Sequence, residues 1–378
     1  MASTQAPLHR RSASPPRDQS PASAGFRMPA EWEPHAATWI AWPHNRHDWP
    51  GKFHCIPPVY AEIVRWLATG ERVEIVVQDK TAEARASRLL DRAGVAPGQA
   101  GFHRWPTDRV WTRDSGPVFL TSGDPRGVAP ACPLALLDWK FNAWAKYNNF
   151  HNDDRLPARI ARRLKLPAWQ PVVSTPAGRR RRVILEGGSI DGNGAGTLLT
   201  TEECLLGSRQ QRNPGLDRAA YEQIFAAWLG ATNVIWLGRG IHGDDTHGHV
   251  DDLARFVAPD TVVTVVETSR GDVNYSALRE NLRRLRSARD QNGRRLRVVT
   301  LPMPRPVTFD GQRLPASYAN FYIANQVVLV PVFNDPSDRV ALNTLAGLFP
   351  GRDTVGIYCG DLIWGFGALH CMTQPQPR

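Results

Sequence analysis

The feature that most constrains this chain is a repeated alternation of short apolar runs with amphipathic segments, from residue 26 to the C-terminus. Runs of three to six residues rich in Val, Ile and Leu predict strands, and apolar residues at helical spacing predict helices between them. The alternation predicts an α/β fold without distinguishing an open sheet, a barrel or a radial array of small sheets. The predicted strands are 73–77, 183–185, 234–237, 261–266, 296–301, 327–332 and 354–358, and the predicted helices are 58–67, 81–93, 216–229, 275–285 and 338–348.

The first 25 residues differ in composition from the rest of the chain. Residues 1–25 are rich in Ser, Pro, Ala and Arg with few large apolar side chains, which predicts a disordered leader. Residues 26–378 have an even composition and are predicted to form a single catalytic domain. The hydrophobic fraction of 42% is sufficient for a substantial core, and no apolar run approaches the roughly 20 residues that span a bilayer.

The net charge of +10 raises the hypothesis of a basic nucleic-acid-binding protein. The arginines, however, are spread over the leader, residues 179–182 and helix-like stretches, without interleaved aromatic residues that could stack on bases. We therefore expect no specific nucleic-acid partner. The five cysteines are scattered and contain no C-x-x-C pair, which favours a reducing, cytoplasmic location.

Four polar clusters stand where apolar runs begin or end, and no dinucleotide or Walker phosphate motif follows any predicted strand. Loops on a rigid scaffold are where functional side chains concentrate. For the first two clusters, an ordinary turn is the competing interpretation. The clusters are residues 111–117 (WTRDSGP), 185–192 (LEGGSIDG), 243–252 (GDDTHGHVDD) and 362–374 (LIWGFGALHCMTQ).

The third cluster places two histidines among four carboxylates within ten residues. One hypothesis is a metal-dependent hydrolase built on His247, His249 and Asp251, although no third His or Cys ligand stands at useful spacing nearby. The other is a histidine acid/base held beside a carboxylate that orients its ring or raises its pKa. The residues alone leave both open.

The fourth cluster contains Cys371 in a polar setting after a glycine-broken apolar stretch. A lone cysteine is usually a small buried hydrophobe, but this setting would suit an accessible thiolate. A candidate cysteine, a remote histidine and dispersed carboxylates together indicate nucleophilic catalysis on a cationic substrate. A planar guanidinium is the natural match, because carboxylates bind it through paired, charge-assisted hydrogen bonds.

These motifs resemble the agmatine deiminase family, which is related to bacterial peptidylarginine deiminases among the guanidine-modifying enzymes. The resemblance covers nearly everything after the leader. It implies a five-bladed α/β propeller (pentein fold) of ββαβ units around a central pocket. It rests on residues 28–35 (MPAEWEPH), 111–117, 186–188 (EGG), 248–251 (GHVD), 334–336 (NDP) and 370–374 (HCMTQ).

The resemblance also implies a role for individual residues. Cys371 would attack the guanidinium carbon and form a covalent amidino-cysteine intermediate, with His249 as acid and base. Asp114 and Asp251 would grip the guanidinium nitrogens, and Glu186 would bind or orient beside His249. The family requires no metal or organic cofactor. Trp111 would stack on the substrate and Asn320 would donate a hydrogen bond to it.

Agmatine is the first substrate that the resemblance implies, giving N-carbamoylputrescine and ammonia in polyamine metabolism. Residues 44–52 (HNRHDWPGK) depart from the Asp-Asn-Trp-Arg form of many agmatine deiminases, and Phe366 and Ala368 depart near the nucleophile. Loops at a pocket mouth decide which substrate tail is accepted. Free or peptide-linked arginine and amidino transfer therefore remain alternatives, and a homo-oligomer is possible.

Overall fold

The computed structural model describes residues 20–123, 133–174, 178 and 180–378. Most of the predicted leader, residues 1–19, lies outside these ranges. Its last residues form a 3-10 turn, Ala22–Ala24, whose end is closed by Gly25 in the left-handed region at φ 82°. The described structure therefore begins a few residues before the predicted boundary at residue 25.

One topology recurs in the sheets of the described chain. Ala254–Ala258 pairs antiparallel with Thr261–Val266, which pairs parallel with Arg297–Pro302. The helix Tyr275–Ser287 makes the crossover that parallel pairing requires. Most of Thr261–Val266 is buried because it is the central strand and lies under that helix. This order is a ββαβ unit.

Four further sheets repeat the antiparallel pair followed by a parallel crossover strand. Two of them carry a fourth strand at one edge. The strands, in sheet order, are Phe26–Arg27, Val118–Ser122, Leu134–Leu137 and Ala168–Trp169; Asp191–Gly192, Thr197–Thr201 and Asn233–Leu237; Tyr322–Ile323, Val327–Val332 and Asp353–Tyr358; and Gln374–Pro377, His35–Ala41, Arg72–Val77 and Ala100–Arg104. Two small hairpins pair Val172–Ser174 with Arg180–Arg182 and Thr308–Phe309 with Gln312–Arg313.

The last of these sheets joins the two ends of the chain. Gln374–Pro377 lies antiparallel to His35–Ala41, with Trp39 opposite Gln374. The C-terminal strand therefore completes the unit whose other strands come from the N-terminal part of the chain. This pairing brings the segment around Cys371 into contact with residues more than 300 positions earlier.

Two of the longer helices begin at a side-chain N-cap. Asp79 and Asp217 are N-caps whose carboxylates accept hydrogen bonds from Ala82 N and Ala220 N at 2.8 and 2.9 Å. Gly230 ends its helix in the left-handed conformation, at φ 69°. The helices are Ile56–Leu67, Lys80–Arg92, Thr112–Ser115, Leu156–Leu164, Glu202–Leu206, Arg218–Leu229, Tyr275–Ser287 and Ser337–Leu348.

The core of the described chain consists of three apolar clusters between the sheets and their helices. The largest contains Trp39, Trp49 and Ile40 together with Trp111, Trp144 and Cys371. The candidate nucleophile therefore belongs to the largest apolar cluster of the described chain. Close packing restricts side-chain movement, which favours a precisely held site.

The α/β class and the five predicted helices are confirmed, whereas one predicted strand is wrong. Residues 183–185 form only an isolated bridge, from Ile184 to Lys140, and the neighbouring strand is Arg180–Arg182. Val183 and Leu185 were read as a strand because they are apolar, and both are buried in the core without ladder pairing. The radial arrangement of five blades stays a prediction. No helix in the described ranges is long and apolar enough to cross a membrane.

Candidate active site

Each of the five ββαβ units contributes one predicted site residue just before its first strand. Asp114 precedes Val118–Ser122, Glu186 precedes Asp191–Gly192, and Asp251 precedes Ala254–Ala258. Asn320 precedes Tyr322–Ile323, and Cys371 precedes Gln374–Pro377. Loops at equivalent positions of repeated units can meet at one point. The structure does bring these residues together, and all five are buried.

Cys371 lies at the centre of this cluster. Its Sγ accepts a hydrogen bond from Asn320 Nδ2 at 3.1 Å and lies 3.6 Å from Asp251 Oδ2. Asn320 Oδ1 accepts a hydrogen bond from His370 N at 3.0 Å, which ties the loop before the cysteine to the neighbouring unit. In this arrangement Asn320 contacts the sulfur directly, and its predicted hydrogen bond to the substrate stays a prediction.

A cavity of about 380 Å³ leads to Cys371 from the surface. Trp111, Trp144 and Asp114 form its inner wall, and Asp245 and Asp310 lie among the residues farther out. Glycines 365 and 367 also line it, and a Cβ at either would come within 3 Å of the Trp111 ring. The thiol is thus reachable, while Asp251, His249 and Glu186 lie outside the cavity wall.

Asp114 is held by two donors. Trp144 Nε1 donates to its Oδ2 at 2.8 Å, and Gly188 N donates to its Oδ1 at 3.0 Å. Burial raises the pKa of Asp114 to about 6, with His249 lowering it and the nearby Asp251 and Glu186 raising it further. Because several carboxylates lie close together, Asp114 in the unligated site becomes protonated as the pH falls through about 6.

His249 stands between carboxylates on both sides. Its Nδ1 is 3.7 Å from Asp114 Oδ1, and its Nε2 is 3.7 Å from Glu186 Oε2. Within the described ranges neither ring nitrogen has a hydrogen-bond partner. Burial by itself would lower the pKa of His249, but Asp114, Cys204 and Glu186 outweigh burial and raise it well above its usual value. The ring can therefore carry a proton to a leaving group.

The carboxylates that favour the charged form of His249 disfavour the charged form of the Cys371 thiol. Burial raises its pKa well above the usual value, and the charges of Asp251, Asp252 and Asp114 raise it further. The free protein therefore holds a neutral thiol. A cation bound among these carboxylates would reverse the sign of the local field and favour the thiolate.

The profile of the Porphyromonas-type peptidyl-arginine deiminase family matches residues 27–377 of this chain. The chain belongs to this family. Agmatine deiminase of Pseudomonas aeruginosa is 33% identical over 383 residues, covering 95% of this chain and 97% of that protein. The structure of agmatine deiminase of Enterococcus faecalis superposes with a TM-score of 0.85 at 29% identity, covering 97% of this chain and all of that chain.

The family membership predicted from the motifs is thereby confirmed. A third member, agmatine deiminase of C. jejuni with substrate bound, has a TM-score of 0.79 at 25% identity and covers 93% of this chain and 96% of that chain. Matches of this length include every loop that carries a site residue. The α/β architecture is therefore shared along the whole domain rather than over one unit.

Two segments of the cavity wall contain non-glycine residues with positive φ. Phe366 adopts φ 65° and lies in the cavity wall. Trp144, which donates to Asp114, lies in a run of three non-glycine residues with positive φ, Ala143–Ala145. Residues held in the left-handed region cost about 1–3 kcal/mol each and concentrate at functional sites. Both segments border the cavity of this family member.

Gly188 shows why the second cluster requires glycine. A Cβ at residue 188 would lie 2.6 Å from His249 Nδ1 and 2.8 Å from Asp114 Oδ1. These distances are far below van der Waals contact, and the crowding atoms belong to buried side chains. The backbone of residue 188 must therefore approach the site more closely than any side chain permits.

Arg212 is a residue that the sequence analysis missed. Its Nε donates to Glu186 Oε1 at 3.1 Å, and both side chains are fully buried. Burial would raise the pKa of Glu186, but Arg212 and His249 outweigh burial and lower it to about 2. Glu186 is thus held as a carboxylate beside His249. The only sequence signal is that Arg212 is one of two arginines at residues 209–212 (RQQR).

We expect Arg212→Met to destabilise the protein by about 3–5 kcal/mol, because removing one partner leaves a buried, uncompensated charge on Glu186. Urea unfolding monitored by circular dichroism would measure the loss. Arg218→Met is the matched control, since Arg218 pairs with Glu202 at the surface and such pairs contribute about 0–1 kcal/mol. Equal effects of the two substitutions would contradict the assignment.

The structure does not bring together His247, His249 and Asp251, the ligands of the metal-site hypothesis for the third cluster. His247 turns away and lies 3.9 Å from Glu203, at the edge of a different surface depression. In the described ranges a different trio, Glu186, Cys204 and His249, places three ligand atoms within 4.8 Å of one another. The Arg212 cation on Glu186 disfavours a divalent ion there.

Proposed function

We propose that this chain is a hydrolytic deiminase that converts agmatine to N-carbamoylputrescine and ammonia. The observation that supports it most is the thiol of Cys371 at the inner end of a cavity whose wall includes Asp114, with Asp251 3.6 Å from the sulfur. Two carboxylates around a nucleophile suit a planar cation. The agmatine deiminases among the similar proteins support the choice of substrate.

The first half of the proposed reaction forms the covalent intermediate. The guanidinium lies between Asp114 and Asp251, stacked against Trp111, and its charge favours loss of the Cys371 proton to solvent. The thiolate attacks the guanidinium carbon to give a tetrahedral adduct. His249 donates its proton to one nitrogen, the C–N bond breaks, and ammonia leaves an amidino-thioether on Cys371.

The second half regenerates the thiol. His249, now neutral, accepts a proton from a water molecule that attacks the same carbon. The C–S bond then breaks, the ureido product leaves, and the sulfur regains a proton. Glu186 stabilises the protonated form of His249 in each cycle, with Arg212 holding the carboxylate in place. The route requires no metal or organic cofactor.

Incubation of the purified chain with agmatine tests the proposal, with N-carbamoylputrescine measured by mass spectrometry and ammonia measured enzymatically. Free L-arginine is the second substrate in the panel. Arg109 lies on the cavity wall, but its guanidinium already pairs with Asp48 Oδ1 at 2.6 Å, so it does not by itself favour a substrate with an α-carboxylate. Arginyl peptides complete the panel. Absence of a ureido product with all three would overturn the deiminase. A stoichiometric metal in elemental analysis, with activity lost on chelation, would favour a metal-dependent hydrolase instead.

We expect kcat/KM to fall as the pH decreases through about 6, because the pKa of Asp114 is raised to about 6 in the free protein. A protonated carboxyl group loses its charge-assisted hydrogen bonds to the substrate. Initial rates at low substrate concentration over a pH series would give the profile. A profile that stays flat through this range would contradict the assignment of Asp114.

The same shift has a defined sign for stability. The folded protein holds the Asp114 proton up to about pH 6, whereas an unfolded aspartate has a pKa of 3.8. Between these values the native state binds more protons than the unfolded state, so this group makes stability fall as the pH rises.

We also propose a cytoplasmic location and no specific nucleic-acid partner. Cys55, Cys204, Cys359 and Cys371 form no disulfides, which suits a reducing compartment. Many surface arginines are occupied by acidic partners, as in the pairs of Arg283 with Glu280 and Arg104 with Glu83. A homo-oligomer remains compatible with these features.

A further inference from the structure

We propose that Glu31 and His370 are positioning residues that hold Asp251 in place for the guanidinium, through a buried carboxylate–imidazolium–carboxylate chain. The inference rests on the proposed function, since it assigns a task to residues around the same site. Neither residue lines the substrate cavity. Glu31 and His370 belong to the motifs at residues 28–35 and 370–374. Within these two motifs, the proposed reaction assigns a role only to Cys371.

The ring of His370 bridges two carboxylates. Its Nδ1 is 2.7 Å from Asp251 Oδ2, and its Nε2 is 2.9 Å from Glu31 Oε2. A carboxylate can only accept, so each ring nitrogen must carry a proton to make its bond. The geometry therefore corresponds to an imidazolium with one carboxylate at each end.

Glu31 accepts hydrogen bonds from three donors besides His370. Its Oε1 accepts from Arg255 at 2.7 Å and from Ile323 N at 3.0 Å, and its Oε2 accepts from Arg113 at 2.7 Å. Burial would raise the pKa of Glu31, but the charges of Arg255, His370 and Arg113 outweigh burial and lower it well below its usual value. Glu31 is therefore a fixed anion at the outer end of the chain.

Asp251 is the inner end, and its two oxygens are used differently. Oδ2 is bound by His370, whereas Oδ1 is buried and has no hydrogen-bond partner among the described residues. One oxygen is thus fixed and the other is left for a donor that the protein itself does not supply. A guanidinium nitrogen beside Cys371 is such a donor.

The imidazolium also balances charge in the free protein. Asp251 lies close to Asp114, Asp252 and Cys371, and its charge raises the pKa of all three groups, because buried anions this close together are unfavourable. The positive ring of His370 compensates Asp251 on the side away from its free oxygen. The pKa of Asp251, which burial would raise, is lowered mainly by His370. A neutral ring would leave the carboxylate uncompensated.

The test is Glu31→Gln, which keeps the size of the side chain but removes its charge. We expect KM for agmatine to rise by about tenfold or more with a smaller change in kcat, because substrate capture depends on Asp251. The rate at which iodoacetamide alkylates Cys371 without substrate should stay within about twofold. If Glu31 had a purely structural role, the substitution would change the alkylation rate and would affect KM and kcat to similar degrees.

Glu33→Gln is the matched control, two residues away in the same motif. Glu33 pairs with Arg27 and accepts from Ala30 N, away from His370. Its KM should stay within about twofold of the wild type. If both substitutions raise KM equally, the effect belongs to the segment and the inference fails.

A double-mutant cycle with Asp251→Asn tests whether Glu31 acts through Asp251. If Glu31 acts through Asp251, Glu31→Gln should add little to the KM of Asp251→Asn. Full additivity would overturn the inference. Should Glu31→Gln fail to fold, His370→Gln carries the same measurements, and an unchanged KM would again overturn it. A wild-type protein without activity on any guanidinium compound would instead end the proposed function.

Discussion

Cys371→Ser is expected to reduce turnover of agmatine by at least about a thousandfold while leaving the protein folded. A serine hydroxyl is a far weaker nucleophile toward the guanidinium carbon than a thiolate, and loss of the nucleophile removes the covalent route altogether. The hydroxyl can still accept the Asn320 hydrogen bond that now reaches Sγ, so the packing should survive. Steady-state rates and thermal unfolding would measure both effects.

Cys55→Ser is the control for this substitution. Cys55 is partly exposed, contacts only its neighbour His54, and lies outside the cavity. Its substitution should change kcat by less than about twofold. Mass spectrometry of acid-quenched reactions should find an amidino adduct on the wild type and on Cys55→Ser, but none on Cys371→Ser. If Cys371→Ser unfolded and the wild type carried no adduct, Cys371 would be a structural residue of the core and not the nucleophile.

Asp114→Asn is expected to lower kcat/KM by about a hundredfold or more. A neutral amide cannot provide the charge-assisted pair to the guanidinium, and breaking a buried charge pair costs about 2–5 kcal/mol. The amide also presents hydrogens toward one of the two donors, Trp144 Nε1 or Gly188 N, which costs about 1–3 kcal/mol of stability. Steady-state kinetics and urea unfolding would separate the two losses.

Asp310→Asn provides the comparison for Asp114→Asn. Asp310 also lines the cavity but is exposed near its mouth. Exposed charges are screened, so its removal should change kcat/KM by only a few fold. If the two substitutions had similar effects, general electrostatic attraction would explain binding better than a specific carboxylate at the inner end.

The residues that sequence reasoning identified share one property. Asp114, Glu186, Asp251 and Cys371 stand in short polar motifs that interrupt apolar runs, and such motifs are recognisable without a structure. Trp144, Arg212 and Glu31 were missed as participants because their significance depends on a partner distant in the chain. Arg212 contacts Glu186, Trp144 contacts Asp114, and Glu31 contacts His370 across 339 positions.

Side-chain directions decide a point that the third motif leaves open. His247 and His249 are two residues apart, yet His247 has φ 66° and lies near Glu203, while His249 faces the site. A motif cannot specify which of two nearby loop residues points inward. The amide of Asn320 contacts the sulfur and Asp252, and its predicted hydrogen bond to the substrate stays a prediction.

By itself, the sequence determined which local elements form and which side chains could carry chemistry. Apolar periodicity and helix caps depend on neighbours within a few residues, so the α/β elements and the polar motifs before four of the units were accessible. Only the tertiary structure decided that these four motifs and Asn320 meet around Cys371. It also decided that the Gln374–Pro377 strand pairs with His35–Ala41 and that His370 bridges Glu31 and Asp251. Burial, charge compensation and pKa shifts arise from contacts between distant segments, which come into existence only when the chain folds.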